Sequence, residues 1–150
     1  MIGLLQRVTG ASVEVAGREV ARIGAGLLVL AAVEPGDSSR EAARLAERLL
    51  NYRVFDDGQG RMNRSLLDTG GGLLLVPQFT LAADTKKGNR PGFSTAAAPA
   101  ASERLFGELL AQTRARLPAT QAGVFGAHMR VQLENDGPVT FWLRVAPAGS

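Results

Sequence analysis

Hydrolytic chemistry usually draws on histidine, serine, cysteine or paired carboxylates, and this chain offers few of them at productive spacings. Its one histidine, His128, stands at the edge of a predicted strand. A Ser–His–Asp triad would have to use that ring, yet no serine occupies a Gly-x-Ser-x-Gly setting that would present it as a nucleophile. A solitary histidine reads first as structural, and with no cysteine in the chain it does not make a zinc site. The same absence removes disulfides and thiol catalysis, and fits a cytoplasmic protein.

Three further groups could act. Asp68-Thr69-Gly70 resembles the signature of dimeric aspartic peptidases, in which two chains bring two carboxylates together to share a proton. The competing reading is a turn, capped by the aspartate and followed by glycines that tolerate positive φ. Lys86, Lys87 and Arg90 cluster in a stretch with little periodicity. They are either a solvated loop or a lip that positions a phosphate backbone without reading bases. Gly137-Pro138 follows Asn135-Asp136, and Asp-Gly is a hairpin-turn signal. Proline straight after it is unusual, because it cannot donate to a strand ladder. If the protein is an enzyme, backbone dipoles and the substrate's own groups must carry much of the work.

The elements that would hold these residues are legible from periodicity. The chain has 150 residues, 45% of them hydrophobic, and a net charge of +3. That is one domain, able to bury about 70% of the surface its unfolded chain exposes. The mild basic bias permits an anionic partner without demanding one. No apolar run reaches membrane-spanning length, and the first residues lack the layout of a signal peptide. Leu4–Val8, Ser12–Val15 and Glu19–Ile23 read as strands, the last two joined through Ala16-Gly17-Arg18. Leu27–Val33 and Leu73–Val76 read as buried strands, and Arg53–Phe55 as a short one.

Ser38 and Glu41 form a capping-box pattern. It opens an amphipathic helix over Ser39–Asn51, with Ala42, Leu45, Leu49 and Tyr52 on one face. Ala82–Ala98 reads as a long loop, of the kind that is usually functional or disordered. Pro99 suits the first turn of a second helix, whose buried stripe is Phe106, Leu109, Leu110, Thr113 and Leu117. Met129–Leu133 and Val139–Val145 alternate as two antiparallel strands around a turn at residues 134–138, and the tail after about Val145 is expected to fray. The predicted class is α+β: a mainly antiparallel or mixed, barrel-like sheet with two amphipathic helices packed on it.

Read together, the segments resemble a known family. IGLLQRVT at residues 2–9, IGAGLLVL at 23–30, Arg53-Val54-Phe55, Arg61-Met62-Asn63, VPQFTLAAD at 76–84, Arg90-Pro91-Gly92-Phe93-Ser94 and NDGPVTFWL at 135–143 occur in an order and spacing similar to the bacterial D-aminoacyl-tRNA deacylases. The resemblance spans nearly the whole chain. It implies a homodimer that hydrolyses the ester of D-aminoacyl-tRNA, and of mischarged glycyl-tRNA, without metal or cofactor. The family's Ser-Gln-Phe-Thr-Leu motif maps onto Pro77-Gln78-Phe79-Thr80-Leu81. Its Gly-cisPro motif maps onto Gly137-Pro138, which in the family enters the partner subunit's site and excludes L side chains.

By the same resemblance, backbone N–H groups near Phe79 and Thr80 form an oxyanion hole. The ribose 2′-OH assists. Thr80 matches the family's candidate nucleophile, but the sequence offers no general base for it, so it reads as a positioning residue. Phe125 and Met129 match positions that line the pocket for the terminal adenine, although two core residues near a strand would read the same way. Arg7 matches a residue that supports the Gly-Pro turn. Lys86, Lys87 and Arg90 would face the acceptor stem. The implied partner is aminoacyl-tRNA, with no membrane and no DNA partner implied. The departure is Pro77, where the family's serine would supply a hydroxyl and an N–H. The alternatives left open are a non-catalytic tRNA-binding module and the aspartic peptidase using Asp68.

Overall fold

The fold comes from a computed structural model that describes residues 1–149. The strand β1 (Ile2–Val15) is the spine of the molecule. Its first half pairs antiparallel with β3 (Gly26–Ala32), and its second half with β2 (Arg18–Ile23). Beyond β3, the sheet continues in parallel register through β6 (Gly72–Pro77) to the two-residue β7 (Gln121–Ala122). Along its other edge, β1 pairs antiparallel with β8 (Arg130–Arg144) over nearly its full length. The result is a mixed, nearly closed, barrel-like sheet in the order β2-β1-β3-β6-β7, with β8 on β1. Two short strands, β4 (Phe55–Asp56) and β5 (Met62–Arg64), form a separate ribbon.

The continuous apolar runs of β3 and β6 follow from burial of both sheet faces. Leu27, Val29, Leu73 and Leu75 face the larger core, shared with Leu45 and Leu49 of α1 (Ser39–Asn51) and Leu105 and Leu109 of α3 (Pro99–Arg116). Leu28, Leu74 and Val76 alternate into the smaller core, with Val8, Val13 and Ile23. At the start of the β3–β6 pair, two glycines meet. A Cβ built on Gly26 would lie 2.0 Å from the Gly72 carbonyl oxygen, so no other residue fits. The helix α1 begins as its sequence predicts. The Ser38 hydroxyl and N–H both donate to the Glu41 carboxylate, at 2.6 and 2.7 Å.

The structure corrects several expectations. The strands expected on either side of residues 134–138 are one strand, β8, and no hairpin separates them. Gln6 pairs with Thr140 and Val8 with Asn135, so residues 136–139 bow out of the ladder opposite Arg7 alone. Alternating apolar residues flank a bulge as readily as a turn, and only the common partner β1 distinguishes the two. Likewise, β1 runs through Gly10 without interruption, where two strands were expected.

Asp68 belongs to a third, four-residue helix, α2 (Leu66–Thr69). It accepts from the Ser65 N–H at 2.8 Å, and Gly70 closes the helix in the left-handed region. That backbone bond, with the Ser65 hydroxyl, holds its carboxyl below the ordinary range. The turn reading of Asp-Thr-Gly is therefore the structural one. Val145 closes on the start of the chain. Its N–H and C=O bond to Met1 at 2.9 and 2.8 Å, and Pro147 is buried.

Candidate active site

A cleft of about 430 Å³ opens where β3, β6 and the start of α3 meet the turn before β8. One wall is the sequence motif: Pro77 ends β6, and Gln78 and Phe79 turn the chain into a 3-10 helix, Phe79–Ala82. Proline is tolerated at such a strand end. The Gln78 N–H carries the ladder one step further, to Ala31 O at 2.8 Å, and Gln78 O accepts from the Leu81 N–H at 3.2 Å. The N–H groups of Phe79 and Thr80 start the 3-10 turn, where helix geometry supplies no partner. Among the described residues neither has an acceptor, and no side chain caps the turn. The Thr80 hydroxyl accepts a hydrogen bond from the Gln78 amide. Thr80 itself is exposed.

The facing wall holds Phe125 and Met129, which the sequence grouped with this site, together with Phe106, Ser102 and Ala97. Gly123 makes room for Met129, since a Cβ there would come within 2.8 Å of its sulfur. Met129 Sδ in turn accepts from the Val124 N–H at 3.4 Å. Alanines 31 and 32 also line the cleft and were missed, because small apolar residues in a buried run carry no signal of their own. His128 was read as structural, yet it is exposed and lines the cleft.

The other predicted residues lie apart from the cleft within one chain. Gly137 and Pro138 do not line it. They form the outermost part of the bowed segment in β8, joined by a cis peptide bond, with Gly137 at φ +151. Arg7 supports that segment: its Nε donates to Asp136 O at 2.9 Å and its Nη1 to Val54 O at 2.7 Å. Asn135 clamps the same segment and was not singled out from sequence. Its side-chain oxygen accepts from the Val139 N–H at 2.7 Å, while its amide donates to Val139 O and Thr140 Oγ1 at 3.2 and 3.0 Å. A polar residue interrupting the apolar alternation just before Gly-Pro was the available signal.

Lys86, Lys87 and Arg90 are exposed on a loop closed by reciprocal bonds between Asp84 and Gly92, at 2.7 and 2.9 Å. That loop is docked on the motif by Phe93, whose ring centroid lies 5.3 Å from that of Phe79. The site thus combines an apolar cleft, unpaired backbone donors at one wall, and cations outside it. It suits a flat apolar group carrying an ester or amide whose oxygen gains charge during reaction.

The comparisons agree with this chemistry. A family model described as D-Tyr-tRNA(Tyr) deacylase matches residues 4–144. The D-aminoacyl-tRNA deacylase of Xanthomonas euvesicatoria pv. vesicatoria (strain 85-10) is 63% identical over 145 residues, 96% of this chain and 99% of that protein. Among solved structures, the c-Myc DNA Unwinding Element Binding Protein superposes with a TM-score of 0.92 at 37% identity, covering 97% of this chain and 99% of the other. A probable eukaryotic D-amino acid tRNA deacylase shares the fold, with a TM-score of 0.84 at 18% identity over 95% of this chain and 97% of the other.

Proposed function

The chain belongs to the D-Tyr-tRNA(Tyr) deacylase family, and from that premise we propose that it is a D-aminoacyl-tRNA deacylase with a site shared between two copies of the chain. The observation that carries the chemistry is the unpartnered N–H of Phe79, on the wall of a cleft that is otherwise largely apolar, with the unpartnered N–H of Thr80 next to it in the 3-10 turn. As water attacks the ester carbonyl, its oxygen becomes anionic. Two preorganised donors in a water-poor cleft stabilise that charge more than solvent would. Thr80, engaged by Gln78 and lacking a general base, positions the motif. The ribose 2′-OH at the scissile ester assists the attack. Phe125 and Met129 hold the terminal adenine, as an aromatic ring and a thioether can against a base face. Lys86, Lys87 and Arg90 meet acceptor-stem phosphates.

Two features support a homodimer in which Gly137-Pro138 enters the partner's cleft. The segment is exposed, and it does not line the cleft of its own chain. Phe79, Phe93 and Trp142 are 55%, 46% and 56% exposed, apolar surface that an interface would cover. In that arrangement the carbonyls of the Gly-Pro segment occupy the space where an L side chain would project. D-aminoacyl and glycyl esters remain substrates. The chain would act in the cytoplasm, where charged tRNA is used. No helix among the described residues is long and apolar enough to cross a membrane.

Release of tyrosine from D-Tyr-tRNA and of glycine from Gly-tRNA, with L-Tyr-tRNA spared, is the expected result. Equal hydrolysis of both tyrosyl enantiomers would remove the chirality filter, and no turnover of any charged tRNA would leave the binding-module reading. Mixing two inactive variants, one altered at Gly137 and one at Phe79, tests the shared site. Mixed dimers recover activity if one intact site forms across the interface.

A further inference from the structure

We infer that His128 contacts the substrate, holding through its imidazole the phosphate that joins the last two nucleotides of the tRNA as the strand leaves the cleft. The inference rests on the reading that the cleft takes the 3′-terminal nucleoside. A nucleoside at the end of a strand drags a phosphodiester to the rim, and protein–nucleic acid affinity comes largely from neutralising such phosphates. Among the residues lining this cleft, His128 is the only one with an ionisable side chain. Lys86, Lys87 and Arg90 do not line it, so they serve phosphates further along the strand. The nearest charged residue along the chain, Arg130, is exposed and stands opposite Glu14 in the β1–β8 ladder.

The local structure argues against a merely structural histidine. A structural imidazole is buried and hydrogen-bonded. His128 is exposed, and among the described residues it makes no hydrogen bond or ion pair. Its backbone is nevertheless fixed on both sides. Gly126 adopts φ +77, the Ala127 N–H donates to Val124 O at 3.2 Å, and Met129 is tied to the Val124 N–H. A ring with free nitrogens on a fixed backbone, beside Phe125 and Met129, can meet a ligand at little ordering cost.

The experiment compares the full-length wild type with His128→Gln and His128→Ala. It measures kcat and KM for D-Tyr-tRNA over a range of KCl at pH 6, and binding of an uncharged RNA oligonucleotide ending in CCA. Circular dichroism checks folding, which an exposed site should preserve. The expected result is a KM raised about threefold to tenfold, and a slope of log affinity against log salt reduced by about 0.7, the value of one single-strand phosphate contact. A fall in kcat at constant KM or an unchanged salt slope would overturn the assignment. If the wild type hydrolyses D-Tyr-tRNA and the variants match it, this inference fails and the deacylase reading stands. If no charged tRNA is hydrolysed but oligonucleotide binding depends on His128, the reverse holds.

Discussion

Replacing Arg7 with alanine removes the guanidinium that ties β1 to both the Gly-Pro segment and the chain beside β4. Two carbonyls lose their donor: Val54 O at 2.7 Å and Asp136 O at 2.9 Å. Val54 is fully buried, so its carbonyl loses a partner that water does not readily replace, and that bond accounts for most of the effect. The Asp136 carboxylate, 3.7 Å away and 57% exposed, adds little. Hydrogen bonds from a charged donor contribute about 1.5–3 kcal/mol each when sheltered and less when exposed, which makes the expected loss about 2–4 kcal/mol. Arg7→Lys should restore less than half, because one ammonium cannot span the two carbonyls as the guanidinium fork does.

Urea denaturation measures that stability arm. For function, if the site is shared as proposed, freeing residues 136–139 lets Gly137 shift in the partner's cleft, where a displacement of 1 Å costs about 100-fold in rate. Hydrolysis of D-Tyr-tRNA and L-Tyr-tRNA, measured well below the denaturation midpoint, reads that shift as lower kcat/KM and weaker discrimination. Arg7→Ala with stability within about 0.5 kcal/mol of wild type and unchanged enantiomer preference would refute both the energetics and the supporting role.

Gly137→Ala places a Cβ 2.7 Å from the Val139 N–H nitrogen at a φ of +151, so deacylation should fall by about tenfold or more in a steady-state assay while the far-ultraviolet spectrum is kept. Thr80→Val should retain near-normal kcat if the hydroxyl, as proposed, does not attack; a loss of several orders of magnitude would make it the nucleophile. Gly26→Ala sets a Cβ against the Gly72 carbonyl at the β3–β6 junction, and a loss of about 3 kcal/mol or more should appear as insoluble or unfolded protein. Glu41 is held at about 2, from an ordinary 4.5, chiefly by the Ser38 hydroxyl, with burial opposing and the Ser38 N–H and Arg40 assisting. Its folded value is depressed, so its contribution is complete above pH 4.5 and fades as pH falls toward 2. Glu41→Gln should therefore cost about 1 kcal/mol at neutral pH and flatten the acid limb of a stability–pH curve.

Much of the helical framework was legible because it is written locally. Ser38 and Glu41 cap α1, the spacing of Ala42, Leu45 and Leu49 sets its buried face, and Pro99 opens α3 at the predicted residue. The strands β3 and β6 announced themselves as apolar runs bounded by glycine. The segment around Gly137 did not. A turn and a bulge share the same flanking alternation, and the difference depends on whether the second half finds a new partner or keeps β1. The exposure of His128 and the cleft walls at Ala31 and Ala32 were equally hidden, since burial and proximity are properties of packing.

The sequence by itself determined the two long helices, the buried strands, the family and the two motifs, because caps, apolar periods and residue order survive without knowledge of neighbours. Only the tertiary structure decided that Phe125, Met129 and His128 share a cleft with Gln78 and Phe79. Only the fold, likewise, left Gly137 and Pro138 outside that cleft. Those placements follow from β8 lying along the whole of β1 with one bow opposite Arg7. Such a register is fixed by hydrogen bonds between residues more than a hundred positions apart, and no local pattern encodes it.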